Sequence, residues 1–287
     1  MKTIIVLTDF SLNARRAADA SLELANKLGY SLTLVNSYQS AIASISVEAV
    51  GCLPPIIYDV VEAGSRRGLH AEVRRLRRKI KSNPLHPVNI EIHIHSSADP
   101  LAKILRSIAN SADLGLVVIG SHQKGAAEFF SDISIDELMS SGQAPLLIFN
   151  GHLPIPKKIL FATDLAEEDL KCIAKLGVCA KQNAFSLHIC NVYRPMVVPD
   201  FRLEERLAYF RGGVLTLQEP LIPFTEIEET NFSKSIGKFS SDHGIDMIAL
   251  AHRTHTFWWK LFHRDHLAEI LQNSSYPILI LPKSFGS

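Results

Sequence analysis

Residues 2–11, KTIIVLTDFS, and residues 157–166, KKILFATDLA, decide the fold of this chain. Each is an apolar run that ends in Thr-Asp. Thr8 and Asp9 fall on Thr163 and Asp164 at an offset of 155 (163 − 8). The next stretch repeats at the same spacing: SLTLVNSY at 31–38 faces SLHICNVY at 186–193, with the two tyrosines again 155 apart (193 − 38). A long self-similarity at fixed spacing is the mark of a duplicated unit. The two copies therefore share a first strand, a helix and a second strand of equal length.

The ends of the copies match as well, at a different spacing. ADPLAKIL at 98–105 aligns with TNFSKSIG at 230–237, where Asp99 and Asn231 both suit a helix N-cap. VVIGSH at 117–122 faces IALAHR at 248–253, and APLLIF at 144–149 faces YPILIL at 276–281. Pro145 and Pro277 are 132 apart (277 − 145), so the second copy is shorter by 23 residues (155 − 132), lost between its second and third strands. Short apolar runs alternating with helical patterns predict parallel sheets with helices on both faces. Strands are expected at residues 3–8, 31–36, 88–95, 114–119 and 145–149 of the first copy. They are read as near-continuous apolar runs, as strands covered on both faces are. The fold class is thus α/β: two tandem, Rossmann-like, doubly wound parallel sheets of five strands, with domains at 1–150 and 151–287. Residues 150–156, with Gly151, Pro154 and Pro156, form the linker.

Length agrees: 287 residues is long for one domain and ordinary for two. At 47% hydrophobic and 21% charged, each half can bury a core without staples. The net charge of +1 exerts no global pull on nucleic acid or membrane. Cys52, Cys172, Cys179 and Cys190 form no CxxC pair and read as small core residues in a reducing compartment. The N-terminal apolar run stops at Asp9, too short for a signal peptide, and no run approaches the length of a membrane span. A cytoplasmic protein without membrane partners is expected.

A first strand ending in Thr-Asp, a fourth ending in Gly-Ser-His and a closing Pro-Leu-Leu-Ile strand together resemble the universal stress protein family, and the resemblance covers nearly the whole chain. It implies the adenine nucleotide alpha hydrolase-like fold, with ligands beyond the carboxyl ends of the strands at the point where the strand order reverses. Many members bind ATP through a Gly, two residues, Gly, nine residues, Gly, Ser/Thr motif that begins at the fourth strand. Glycines there let backbone N–H groups approach the phosphates. Carried over, the first position is Gly120, followed by Ser121 and His122. The second glycine is replaced by Gln123, with Lys124 and Gly125 next to it. The third is replaced by Ile133, and the hydroxyl position is kept as Ser134. The β-branched Ile133 crowds a phosphate. In the second copy the motif opens with Ala251, His252, Arg253 and Thr254, and no phosphate loop follows.

The resemblance therefore implies a nucleotide site in domain 1 only. Thr8, Asp9 and Val35 would stand at the adenosine end, and Gly120, Ser121, His122, Lys124 and Ser134 at the phosphates. The cofactor would be ATP, with no metal except Mg²⁺ accompanying the nucleotide. A competing reading makes Asp9 and Asp164 the N-caps of the helices that follow them. The family's common dimer implies an intramolecular pseudo-dimer of the two domains through their closing strands at 146–149 and 278–281. A homodimer of whole chains is a further expectation.

Three other features stand out. RRLRRKIK at 74–81 is a basic helical stretch whose Leu69, Val73, Leu76 and Ile80 recur at helical spacing and should face the sheet. It reads as a solvated face, and lacking interleaved aromatics it does not make nucleic acid an expected partner. His252, His255, His263 and His266 give two HxxH pairs without Cys or HExxH, so no metal is expected. His93 and His95 share one face of a strand. Phe257, Trp258, Trp259, Leu261 and Phe262 form the most aromatic patch, read as core cover or as a docking surface for an unidentified protein partner. No nucleophile motif appears. The reading is a universal stress protein acting as a non-catalytic binding or regulatory module with a degenerate ATP motif. Two alternatives stay open: an ATP-binding switch at domain 1, and a scaffold that recruits a partner through Trp258 and Trp259.

Overall fold

The computed structural model describes residues 2–39, 42, 55–82, 91–111, 113–120, 137–139, 144–149, 156–193, 201–217, 222–228, 232–252 and 276–286. The chain divides into two compact units, Met1–Ile155 and Pro156–Ser287.

In the first unit, β1 (Thr3–Leu7), β2 (Ser31–Ser37), β3 (Ile92–Ser97), β4 (Leu114–Gly120) and β5 (Leu146–Phe149) pair in the order β3-β2-β1-β4-β5, all parallel. Every residue of β1 and β5 is buried. That is the composition a strand needs when both its faces are covered. β3 departs from this expectation. It starts at Ile92, runs on to Ser97, and its residues are half-buried or exposed. It is the outermost strand of the unit, so only one side is covered, and Ser96 and Ser97 stay in the ladder by pairing with Asn36 and Ser37. Among the described residues, α1 (Leu12–Leu28), α2 (Pro55–Ser82) and α3 (Leu101–Ser111) connect the first four strands. Leu69, Val73 and Leu76 of α2 are buried, and Ile80 is half-buried.

The second unit repeats the plan. β6 (Lys158–Thr163), β7 (Ser186–Tyr193), β8 (Phe224–Glu228), β9 (Met247–Ala251) and β10 (Ile278–Leu281) pair in the order β8-β7-β6-β9-β10, again all parallel. The helices are α4 (Glu167–Asn183), α5 (Phe201–Thr216) and α6 (Phe232–His243), and a 3₁₀ turn (Lys283–Gly286) follows β10. The repeat extends to helix ends. Gly29 closes α1 at φ 67° and Ala184 closes α4 at φ 55°, each donating its N–H to the carbonyl four residues back. Glycine adopts this left-handed conformation freely; alanine there is strained.

One buried cluster belongs to the second unit alone. His188 stands at the position of Thr33, 155 residues on (188 − 33). Its Nε2 lies 2.9 Å from Thr225 Oγ1 and its ring meets Phe239 edge-on at 5.0 Å. Phe239 in turn stacks on His243 at 3.9 Å. Burial, then the neighbouring His243 and Lys158, pushes the His188 imidazole below its ordinary pKa of 6.5. The unfolded chain therefore binds a proton more readily than the folded one, and stability falls as pH drops below 6.5.

Two outcomes follow for unfolding experiments. Ala184→Gly should raise stability by about 1 kcal/mol in urea denaturation, by relieving the left-handed alanine. His188→Thr should flatten the loss of stability below pH 6.5 without changing it at neutral pH by as much.

Candidate functional site

The strand order reverses at β1 in the first unit: α1 carries the chain to β2 on one side, while β4 lies on the other. The crevice beyond the carboxyl ends of β1 and β4 is where ligands sit in open parallel sheets. The turn from β1 into α1 lines it. Thr8 N donates to Val35 O at 2.8 Å, extending the ladder one residue past β1. Thr8 Oγ1 then accepts from Phe10 N at 3.0 Å, the Asp9 carboxylate accepts from Ser11 N at 3.0 Å, and Ser11 Oγ accepts from Ala14 N at 3.2 Å. Phe10 sits at φ 67°, a conformation that costs a non-glycine residue roughly 1–2 kcal/mol.

This arrangement corrects the N-cap reading. Ser11, not Asp9, caps α1. In the second unit Ala166 holds the cap position of α4 without a side-chain bond, so Asp164 does not cap either. The chain needs two further residues after Thr-Asp to turn over the sheet edge, which puts the aspartate outside capping reach. Asp9 is exposed. Asp99 is likewise displaced: the Pro100 carbonyl receives the first N–H groups of α3. The Lys103 ammonium and the Ser97 hydroxyl hold the Asp99 carboxyl below the usual carboxylate range. Asn231 lies outside the described residues.

The threonine and asparagine contacts of the turn are duplicated in the second unit. Thr163 Oγ1 accepts from Leu165 N at 2.9 Å, and Leu165 has φ 64°. Asn36 Nδ2 donates to Thr8 O at 2.6 Å, and Asn191 Nδ2 donates to Thr163 O at 2.8 Å. Asn36 and Asn191 were not singled out from the sequence. The signal was there: both occupy the sixth place of the matched second strands.

Beyond that clamp the two units part. Ser65 Oγ of α2 donates to Asn36 Oδ1 at 2.6 Å and lies 2.7 Å from Ser96 Oγ. A serine hydroxyl has one proton, so Ser96 must donate to Ser65. The polar chain Thr8–Asn36–Ser65–Ser96 is thereby satisfied from β1 to the sheet edge. In the second unit Asn191 Oδ1 is buried and has no hydrogen-bond partner among the described residues. Thr163 donates its own hydroxyl to the buried carboxylate of Asp169 at 2.7 Å.

Charge differs in the same place. The first turn of α1 holds no acidic residue, and the exposed Arg15 and Arg16 follow it. The first turn of α4 holds Glu167, Glu168 and Asp169. Helix N-termini favour negative charge. That of α4 is already supplied by its own carboxylates, which would repel a ligand phosphate.

Gly120 ends β4, in register with Phe149. A Cβ there would stand 2.7 Å from Asn13 C and O and 2.8 Å from Ala14 N. The close passage of α1 over β4 thus requires glycine at this position whether or not a ligand binds. Val35 is fully buried, and its carbonyl serves the Thr8 ladder bond. The structure brings Thr8, Asp9, Val35 and Gly120 together at neighbouring strand ends. Ser121, His122, Lys124 and Ser134 lie outside the described residues, as do Cys52, His255, His263, His266 and residues 257–262. His252 is buried. Among the described residues, no three His, Cys, Asp or Glu side chains are grouped to hold a metal ion. Cys172 and Cys190 are buried cysteines outside any disulfide, and burial pushes the Cys190 thiol up to about 12. Among the described residues no helix is long and apolar enough to cross a membrane.

Known structures share the fold. The chain aligns with a universal stress protein from Archaeoglobus fulgidus DSM 4304 at TM-score 0.64 and 15% identity, covering 98% of this chain and 96% of that one. The chain has the universal stress protein fold. A candidate universal stress protein from Pseudomonas aeruginosa UCBPP-PA14 aligns at TM-score 0.58 and 13% identity, over 100% of this chain and 95% of that one. A functionally unknown protein from Pseudomonas aeruginosa PAO1 aligns at TM-score 0.55 and 14% identity, over 100% and 94%. No family model matches the sequence, and no curated protein does. Within the universal stress protein fold, the polar chain through Ser65 is a feature of the first unit. Ser65→Ala should strand Asn36 Oδ1 and lower stability by roughly 1–3 kcal/mol. Gly120→Ala should cost about 1–3 kcal/mol by forcing α1 off β4. Urea unfolding of the two variants reads both, and an unchanged midpoint for either would contradict the geometry.

Proposed function

We propose that the chain is a tandem universal stress protein: a cytoplasmic, non-catalytic binding module whose single small-ligand site lies in the first unit. The second unit would serve as an architectural copy. The observation that carries this reading is the unequal charge at two equivalent helix starts. α1 presents no acid beside Asp9 and Gly120, and α4 presents three. An anion approaching the first unit meets free helix polarity, and one approaching the second meets carboxylates.

The ligand class that fits is a nucleotide with its Mg²⁺, its adenosine end at Thr8, Asp9 and Val35. Phosphates would lie past Gly120, toward Ser121, His122, Lys124 and Ser134. The local chemistry supports holding rather than turnover. Thr8 and Asp9 are engaged with backbone N–H groups of their own turn, and the buried Cys190 thiol is far from reactive at neutral pH. A nucleotide-bound and a nucleotide-free form would then be the two states of a regulatory switch.

Isothermal titration calorimetry with ATP and Mg²⁺ tests this reading. One ATP per chain is expected, with affinity weakened about 10-fold or about 1.4 kcal/mol by Asp9→Ala and unaffected by Asp164→Ala. Two ATP per chain, or binding insensitive to Asp9→Ala, would overturn it. Steady release of inorganic phosphate would replace the binding module with an ATPase.

A further inference from the structure

A net charge of +1 for the whole chain conceals a local concentration on α2. From Gly64 to its end at Ser82 this helix carries Arg67, Arg74, Arg77, Arg78 and Lys81 as exposed residues. At 100° per residue these five cations fall within about 100° of arc on the face opposite Leu69 and Leu76. They extend over roughly 21 Å of helix. His70 and Ala71 fill the gaps between them. The only acid in this stretch, Glu72, is buried and bonded to Arg75.

Asp19, Glu23 and Glu62, the acids nearest the basic half of α2, are already paired elsewhere. Asp19 of α1 pairs with Arg75 at 2.7 Å and Lys79 at 3.5 Å, and Glu23 with Lys79 at 3.6 Å. Glu62 pairs with Arg66, off the stripe. Arg67, Arg74, Arg77 and Lys81 make no ion pair among the described residues. The helix has thus sorted its cations: Arg75 and Lys79 are neutralised against α1, and the outer five are left to solvent.

We propose that this stripe is a docking surface for the phosphodiester backbone of a nucleic-acid duplex, read without regard to sequence. Four of the five cations are arginines, whose planar fork matches phosphate oxygens. No Phe, Tyr or Trp lies within the stripe, which leaves out the large aromatic platforms that single strands stack on. Leu69, Val73 and Leu76 are buried beneath the stripe, and the exposed apolar residues of α2, Ile56, Tyr58 and Val60, lie near its N-terminus, before the first cation, so no apolar anchor stands among the five cations. The surface is separate from the strand-end crevice of the first unit and does not depend on a nucleotide there.

Duplex binding of this kind carries a defined salt dependence, because each neutralised phosphate releases a counterion. The test is fluorescence anisotropy of a labelled 25-base-pair DNA duplex titrated with the full-length protein across a sodium chloride series. Five engaged cations give a slope of log K against log salt of about −4.5, or roughly 500-fold weaker binding between 50 and 200 mM salt. Arg74→Ala with Arg77→Ala should bring the slope to about −2.7, a roughly 40-fold loss over the same range. Both positions are exposed and alanine is a good helix former, so circular dichroism should report unchanged folding. Arg66→Ala, off the stripe and paired with Glu62, should leave the slope unchanged. No binding at 50 mM salt, or a slope that the double variant does not move, overturns the proposal. So does equal or tighter binding to phosphatidylserine vesicles lost through the same two arginines, which would assign the stripe to a membrane surface.

Discussion

Both units depend on one strained turn. A parallel strand must hand its chain to a helix that doubles back over the sheet, and here that reversal passes through Phe10 or Leu165 at positive φ. Neither residue prefers the left-handed region, so the conformation has to be imposed from outside. The threonine before it supplies its hydroxyl to the strained residue's N–H, and an asparagine from the next strand grips the threonine carbonyl. Strand pairing fixes where that asparagine stands, so turn and sheet hold each other in place. The entry of α1 over Gly120 and the exposure of Asp9 both follow from this clamp.

The same clamp shows how the copies came to differ in charge while keeping one plan. The first unit completes its polar chain with Ser65 and Ser96, which leaves the Thr8 hydroxyl in the turn and the start of α1 without acids. In the second unit the Thr163 hydroxyl is given to Asp169, and the first turn of α4 is filled with carboxylates. A buried carboxylate at a helix start is well placed for the helix and badly placed for an anionic guest. The architecture tolerates either choice, because the clamp uses the threonine carbonyl and lone pairs rather than its proton. Divergence could therefore concentrate on charge without touching the fold.

Much of this was legible before any coordinates. The Thr-Asp endings, the matched second strands and the prolines of the closing strands are local patterns, and each marks a strand end whatever surrounds it. They gave the strand sequence of both units, and even the paired asparagines and the acids of residues 167–169 stood in plain view. The third strand was harder. IHIHSS is an edge strand with one covered side, so it lacks the continuous apolar run by which the others announce themselves.

By itself the sequence determined that there are two copies and that they are of α/β class, because periodicity and repetition are properties of neighbours along the chain. Only the tertiary structure decided what individual residues do. It moved the cap of α1 from Asp9 to Ser11 and made Gly120 a consequence of helix passage rather than evidence of a phosphate. It also joined Asn36 to Ser65 across 29 residues of chain and Ser65 to Ser96 across 31. Those assignments rest on distances between segments remote in sequence, and strand pairing and helix packing set such distances where local pattern cannot.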